Sequence, residues 1–262
     1  MQSEEFQGYY EKIFGARWPT LRQAMQEKAQ KSEQFFFKEI AQPYVMDLAS
    51  VWAAEFLQVK PHQKVLDMCA APGGKSLCLA KALQGTGELW CNELSSDRRY
   101  KLKRILEDYI PEQMRQNIKV LGKDAVGLGM IYPEKFDRIL VDAPCSSERH
   151  RLQSEEHMSF WSLKNSKYLA QKQYSLLCSG LLALKPQGFM VYSTCSLSPL
   201  ENDGVVERFL QKKGTQVTID FPAEFPIKDA IVEKTTFGWQ ILPDRGGLGP
   251  LFIARFKKNG GT

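Results

Sequence analysis

From about residue 60 onward, short apolar runs alternate with amphipathic segments. Lys64-Val-Leu-Asp-Met-Cys69 predicts a buried strand, and residues 75–83 predict a helix stopped by Gly85 and Gly87. Glu88-Leu-Trp-Cys-Asn-Glu93 is the next strand. Ser95 or Ser96 can cap the helix after it, which carries Leu102, Ile105, Leu106 and Tyr109 on one face. Residues 117–121 predict a third strand. Phe136-Asp-Arg-Ile-Leu-Val-Asp142 predicts a fourth, central because it is apolar on both faces. A long helix over 168–184 ends before Lys185-Pro-Gln-Gly188, and 189–194 read as a fifth strand. Residues 201–210 predict a helix, and 216–220 and 251–256 the last strands. Strands alternating with helices give an α/β fold, a mostly parallel sheet with helices on both faces. Residues 1–41 read as a helical N-terminal extension and 42–262 as the main domain. Segment 145–167 is a long connection without a clear core, and such loops are usually functional or mobile.

Composition narrows the class. The chain has 262 residues, 43% hydrophobic and 25% charged, which excludes a disordered or collagen-like protein. The longest uncharged stretch, 186–200, is polar-mixed and too short to span a bilayer. No basic region followed by an apolar core opens the sequence, so no secretory signal is expected. The expected location is the cytoplasm, or the mitochondrial matrix if a transit peptide has been removed. The six cysteines are then expected to be free thiols. No C-x-x-C pair exists and the three histidines lack ligand spacing, which argues against a structural zinc. A net charge of +5 permits a polyanionic partner without demanding one.

Four segments carry candidate chemistry. In Val65-Leu-Asp-Met-Cys-Ala-Ala-Pro-Gly-Gly-Lys-Ser76 a strand ends, a small-residue turn follows and a helix begins. Small residues let the backbone approach a ligand, and the helix N-terminus favours an anionic group. The P-loop spacing is absent, which disfavours a nucleotide triphosphate. Glu93, ending the second strand, is placed to accept ribose hydroxyls, and Asp124, after the third, to hold an adenine amino group. Asp142-Ala-Pro-Cys-Ser-Ser147 and Ser193-Thr-Cys-Ser196 end the fourth and fifth strands. Two parallel strands thus each deliver a cysteine to one sheet edge, and thiolates are strong nucleophiles. Cys69, Cys78, Cys91 and Cys178 read instead as small buried hydrophobes. The residues alone leave open whether Cys145 or Cys195 attacks.

These motifs resemble the Sun (Fmu-type) family of S-adenosylmethionine-dependent RNA cytosine-C5 methyltransferases. The resemblance rests on Asp67-Met-Cys-Ala-Ala-Pro-Gly-Gly-Lys75, Asp142-Ala-Pro-Cys145 and Ser193-Thr-Cys-Ser-Leu-Ser-Pro-Leu-Glu-Asn202, and runs from Gln42 to Phe252. Ser147-Glu-Arg-His-Arg-Leu resembles the short branch that includes the mitochondrial ribosomal-RNA enzyme. The resemblance implies a Rossmann-like methyltransferase fold. It implies a cofactor site at Cys69, Ala70, Ala71, Pro72, Gly73, Gly74 and Lys75, with Glu93 on the ribose, Arg98 at a contact position and Asp124 on the adenine. It places Asp142 beside the methyl donor and target base and makes Cys195 the nucleophile. Cys145 assists product release, and Lys75 faces the base.

The chemistry is coherent. Cytosine C5 is too weak a nucleophile to take a methyl group directly, and a thiolate adding at C6 activates it. Hydrogen bonding at N3, assigned here to Asp142, stabilises the adduct and asks for a carboxyl that carries or shares a proton. A base buried in a duplex is unreachable, so the target is single-stranded or flipped out. Arg149 and Arg151 are expected to contact RNA. The basic helix face around Arg98, Arg99, Lys101, Lys103 and Arg104 reads first as a solvated face. Ribosomal RNA is the expected substrate and transfer RNA the alternative, with a ribosomal particle or an accessory RNA-binding protein as partner and a monomeric chain. The alternative of a different class is a non-catalytic ribosome-assembly factor on the same fold.

Overall fold

The computed structural model describes residues 2–260. Two helices open it, α1 (Gln2–Phe14) and α2 (Trp18–Gln26). A hairpin of β1 (Ser32–Gln34) and β2 (Tyr44–Met46) leads into α3 (Leu48–Phe56). Then come β3 (Lys64–Asp67), α4 (Gly74–Leu83), β4 (Glu88–Asn92), α5 (Ser96–Tyr109) and α6 (Glu112–Arg115). They are followed by β5 (Ile118–Leu121), α7 (Leu128–Ile131) and β6 (Phe136–Asp142). After these come α8 (Glu148–Arg151), α9 (Glu155–Met158), α10 (Leu163–Ala183), β7 (Leu184–Thr194) and α11 (Asp203–Lys213). The last strands are β8 (Val217–Ile219), β9 (Glu233–Lys234), β10 (Trp239–Ile241) and β11 (Leu251–Lys258).

The main sheet has the order β5-β4-β3-β6-β7-β11-β10-β9, with β8 paired on β11. Strands β5 to β7 are parallel, and β11 runs antiparallel to β7. From β3 the chain winds outward through β4 to β5, then returns to place β6 on the other side of β3. That reversal opens a crevice at the carboxyl ends of β3 and β6, where open parallel sheets bind ligands.

Side-chain alternation explains why the central strands are apolar on both faces. Val65, Leu140 and Val191 join one buried layer with α3 and α4. Leu66, Ile139, Val141, Met190 and Tyr192 join the opposite layer with α10 and α11. Residues Phe6, Tyr10, Trp18, Leu21 and Met25 of the opening helices form a third buried cluster with Trp161, Leu197 and Leu242.

The mostly parallel sheet covered by helices is as the patterning implies, and Ser95 caps α5 by accepting from the Arg98 N–H. Several elements differ. The first 41 residues are helical only to Gln26, and the boundary expected at residue 42 falls inside the β1–β2 hairpin. Helix α3 stands where no element was expected. Segment 145–167 contains α8, α9 and the start of α10 rather than open loop. Strand β7 begins at Leu184 because Lys185-Pro-Gln-Gly188 is absorbed as an irregularity. The pairing jumps from Phe136↔Leu184 to Arg138↔Phe189, with Gln187 at φ 63°.

Candidate active site

The turn after β3 is held from below. Asn92, at the end of β4, donates from its side-chain amide to the Met68 carbonyl at 3.1 Å and the Lys123 carbonyl at 2.9 Å, joining three strand ends. Gly73 precedes α4 at φ 129°, a conformation that favours glycine, and a Cβ there would meet Ile105 Cγ2 at 3.0 Å. A Cβ on Gly74 would lie 3.0 Å from Tyr44 and 3.1 Å from Met46. The small residues of the turn therefore serve close approach by hairpin and helix as well as by a ligand. Asp67 is buried beneath the turn. Its Oδ2 accepts from Ser76 Oγ at 2.7 Å, while Oδ1 has no protein partner. Burial pushes its carboxyl up to about 7, partly opposed by that hydrogen bond.

A cavity of about 610 Å³ opens at the carboxyl ends of β3, β6 and β7, lined by Cys69, Ala71, Lys75, Arg98, Asp142, Cys145 and Cys195 among others. Lys75, in the first turn of α4, donates to Asp142 Oδ2 at 2.8 Å and to Ser50 Oγ of α3 at 3.2 Å. Ser193 Oγ, from the end of β7, donates to Asp142 Oδ1 at 2.8 Å. Burial lowers the basicity of Lys75, but the Asp142 carboxylate more than offsets this and leaves it raised. The structure brings Asp142 and Lys75, both expected site residues, together in this cavity. Asp142 accepts at both oxygens, and the proton donor of the pair is the Lys75 ammonium.

Beside this pair lie the two cysteines. Cys145 Sγ and Cys195 Sγ are 2.8 Å apart, and Ser147 Oγ is 3.2 Å from Cys195 Sγ and 3.5 Å from Cys145 Sγ. The pair shares one hydrogen bond, and its titration is asymmetric. Donation from Cys145 lowers the Cys195 thiol despite burial, with Ser147 acting the same way. The same bond, added to burial, holds Cys145 well above the ordinary thiol range. Cys195 is thus the more acidic thiol of the pair. Cys69 borders the cavity, but burial, with Asp67 and Asp142 nearby, pushes its thiol up, so it is inert. All six cysteines are free thiols, as expected.

The remaining expected residues are placed less uniformly. Arg98 donates to the Ala71 carbonyl at 2.8 Å and pairs with Glu93 at 3.3 Å, so it ties α5 to the turn. Glu93 is buried at the end of β4 and also accepts from the Ser95 N–H. Asp124 is exposed and caps a short turn by accepting from the Val126 N–H at 3.0 Å. Neither Glu93 nor Asp124 lines the cavity that holds the cysteines. Arg149, which lines the cavity, and Arg151 both hydrogen-bond to backbone carbonyls. Arg149 donates to the carbonyls of Ala24, Glu27 and Leu248, and Arg151 to those of Ser146 and His157. Both guanidinium groups fasten backbone segments together.

Sequence reasoning missed Ser50, Asp47 and Ser193. Asp47 before the apolar run 48–56 is a legible helix start, and it does cap α3 by accepting from the Ala49 N–H at 2.8 Å. Its other oxygen accepts from the Gly249 N–H at 2.6 Å, which brings the 249–251 loop to the cavity rim.

A family model described as "16S rRNA methyltransferase RsmB/F" matches residues 54–257. A "tRNA (cytosine(34)-C(5))-methyltransferase, mitochondrial" of Danio rerio is 35% identical over 228 residues, covering 84% of this chain and 61% of that protein. The "5-cytosine rRNA methyltransferase NSUN4" of Bos taurus is 40% identical over 188 residues, 69% of this chain and 48% of its own length. A solved methyltransferase homologue from Pyrococcus horikoshii, 22% identical, superposes with a TM-score of 0.76 over 97% of this chain and 94% of that one, a likeness of fold. The chain spans about half to two thirds of the length of these two curated relatives.

Proposed function

The chain belongs to the RsmB/F family, and we propose that it transfers a methyl group from S-adenosylmethionine to C5 of a cytosine in ribosomal RNA. One observation carries this reading: two cysteines from adjacent parallel strands meet at 2.8 Å in the cavity that also holds the Lys75–Asp142 pair. A thiol pair of this kind suits addition to an electron-poor ring carbon.

The residues present fit the cofactor. The small-residue turn over 69–74, the start of α4 and the unpartnered buried oxygen of Asp67 suit a zwitterionic amino-acid group. Glu93 and Asp124, ending β4 and following β5, are the acceptors proposed for ribose and adenine. When bound, the cofactor supplies an electrophilic methyl group.

The chain's own groups do the rest. Cys195 Sγ adds to C6 as a thiolate, forming the Sγ–C6 bond and making C5 nucleophilic. The Lys75 ammonium, oriented by Asp142 and Ser50, donates to the ring and stabilises the negative charge that addition creates. Once C5 carries the methyl group, a base in the cavity takes the C5 proton, and the Asp142 carboxylate is the acceptor present. The C5–H electron pair re-forms the C5–C6 double bond, the Sγ–C6 bond breaks, and Cys195 returns as a thiolate that the Cys145 S–H stabilises as a leaving group. Cys145 thereby assists release.

The wider alignment of the Danio rerio tRNA enzyme makes transfer RNA the second reading. Labelled S-adenosylmethionine incubated with total RNA separates the two. Label in 5-methylcytidine from a ribosomal band supports the proposal, and label in a transfer-RNA band moves the substrate. If neither naked RNA nor ribosomal particles take up label, the chain is a factor that no longer methylates.

A further inference from the structure

Behind the cavity, each cysteine loop sends a glutamate to the other. Glu148, three residues after Cys145, is fully buried. Its Oε2 accepts from the Leu197 N–H at 3.0 Å and its Oε1 from Ser196 Oγ at 3.0 Å, both on the Cys195 loop. Glu201, on the stretch after Cys195, is also fully buried. Its Oε2 accepts from the Ser146 N–H at 3.0 Å, next to Cys145, and from Gln173 Nε2 at 2.9 Å. Ser146 Oγ, which donates to Glu148, and Ser196 Oγ are 3.0 Å apart at the crossing point. Helix α1 completes the cluster from outside. Tyr10 donates to Glu148 Oε1 at 2.5 Å, and the Tyr9 hydroxyl lies 3.0 Å from Ser198 Oγ.

Burying two carboxylates side by side is costly unless their hydrogen bonds are made. Apolar side chains would anchor these loops at less cost. What the carboxylates add is direction: each one fixes a backbone N–H adjacent to, or two residues beyond, a cysteine. We infer that Glu148 and Glu201 are positioning residues that set the separation of the Cys145 and Cys195 sulfurs by reciprocal hydrogen bonds, with Tyr10 of α1 orienting Glu148. The inference rests on the reading of Cys195 as the attacking thiolate, because the sulfur separation matters only if Cys145 must donate to it.

The test uses the full chain with three variants, Glu148→Gln, Tyr10→Phe and Glu201→Gln. Glutamine at 148 keeps one acceptor oxygen and cannot serve both the Leu197 N–H and the hydroxyl cluster. Glutamine at 201 keeps an acceptor for Ser146 and is the conservative control. The first readout is the alkylation rate of Cys195 by iodoacetamide at neutral pH, measured on the peptide by mass spectrometry. The second is the split between kcat and KM in methyl transfer. Glu148→Gln should slow Cys195 alkylation and lower kcat by about 10- to 100-fold with KM for RNA unchanged, because displaced reacting groups cost about that much. Tyr10→Phe should move both readouts the same way by less, and Glu201→Gln least. If Glu148→Gln fails to fold, Tyr10→Phe decides. Lower melting temperatures with wild-type alkylation and kcat would overturn the inference and leave a purely structural cluster. Slowed alkylation in a chain whose wild type methylates no RNA would uphold the positioning and sink the proposed function instead.

Discussion

The two sulfurs differ because one hydrogen bond has a direction. In the proposed mechanism Cys145 donates and Cys195 attacks, in line with the lowered Cys195 thiol and the raised Cys145 thiol. Cys195→Ala should abolish methyl transfer while leaving cofactor affinity intact, and retained activity would show that another group attacks. Cys145→Ala should do two things. It removes the donor, so the Cys195 thiol rises and its alkylation at neutral pH slows, with the profile moving to higher pH. It also leaves the adduct without assistance in elimination, so a protein–RNA band should survive a denaturing gel. Normal turnover with no such band would reduce Cys145 to a packing residue. A second residue-scale effect lies in the buried Glu201. Burial, with Glu148 beside it, pushes its carboxyl up to about 7 from an ordinary value of 4.5. The folded state therefore holds its proton over a range where the unfolded chain has released it. This contribution to stability is complete below about pH 4.5 and is lost as pH rises through about 7, a change of about 3 kcal/mol. Glu201→Gln mimics the protonated form, so its stability relative to wild type should increase across that window. A difference that stays flat with pH in urea titrations would contradict the assignment.

At the scale of elements, the opening helices are held by aromatic packing that reaches the functional loops. Trp161 is buried between Phe6, at 5.0 Å with an edge contact, and Tyr10 at 6.1 Å, and shares its cluster with Leu197 on the Cys195 loop. Trp161→Ala should cost about 3–5 kcal/mol in denaturant unfolding, the range for a buried large aromatic. A loss well under that range would mean that the helices pack independently of the loop. The same contrast explains what was legible beforehand. The strands β3, β4, β6 and the apolar part of β7 follow from apolar runs bounded by glycine or polar residues, so together they placed the turn over 69–75 and both cysteines at one sheet edge. Residues joined over long sequence separation left no local signal. Glu148 sits in the basic run Glu148-Arg-His-Arg151 and reads as a solvated charge, yet its partners are Tyr10 and Leu197. The carbonyl partners of Arg149 are hidden for the same reason. Helix α3 was missed, although Asp47 before the apolar run 48–56 is a local cap signal. The hairpin β1–β2 left no such signal, because its strands are three residues each and carry no alternation long enough to show.

At the scale of the molecule, the question is where an RNA backbone would lie. A net charge of +5 is too small to act as a uniform field, so its distribution decides. The guanidinium groups of Arg149 and Arg151 already hold backbone carbonyls, whereas Lys101, Lys103 and Arg104 on α5 are exposed and in no salt bridge among the described residues. Helix α5 also carries Arg98, which lines the cavity, so its basic face runs from the cavity rim outward. Its solvated-face reading and an RNA-contact reading then make different predictions about salt. Each phosphate contact contributes roughly one unit to the slope of log binding constant against log salt. Replacing Lys101, Lys103 and Arg104 together by alanine should lower that slope by roughly two to three units if they touch phosphates. An unchanged slope would return them to a solvated face. Arg149→Ala should behave in the opposite way. It frees the carbonyls of Ala24, Glu27 and Leu248 that one guanidinium now holds together. The loss should appear as a lower melting temperature, and as weaker activity through loosened rim segments, with the salt slope kept. A reduced slope with unchanged stability would show that Arg149 turns outward to meet RNA after all.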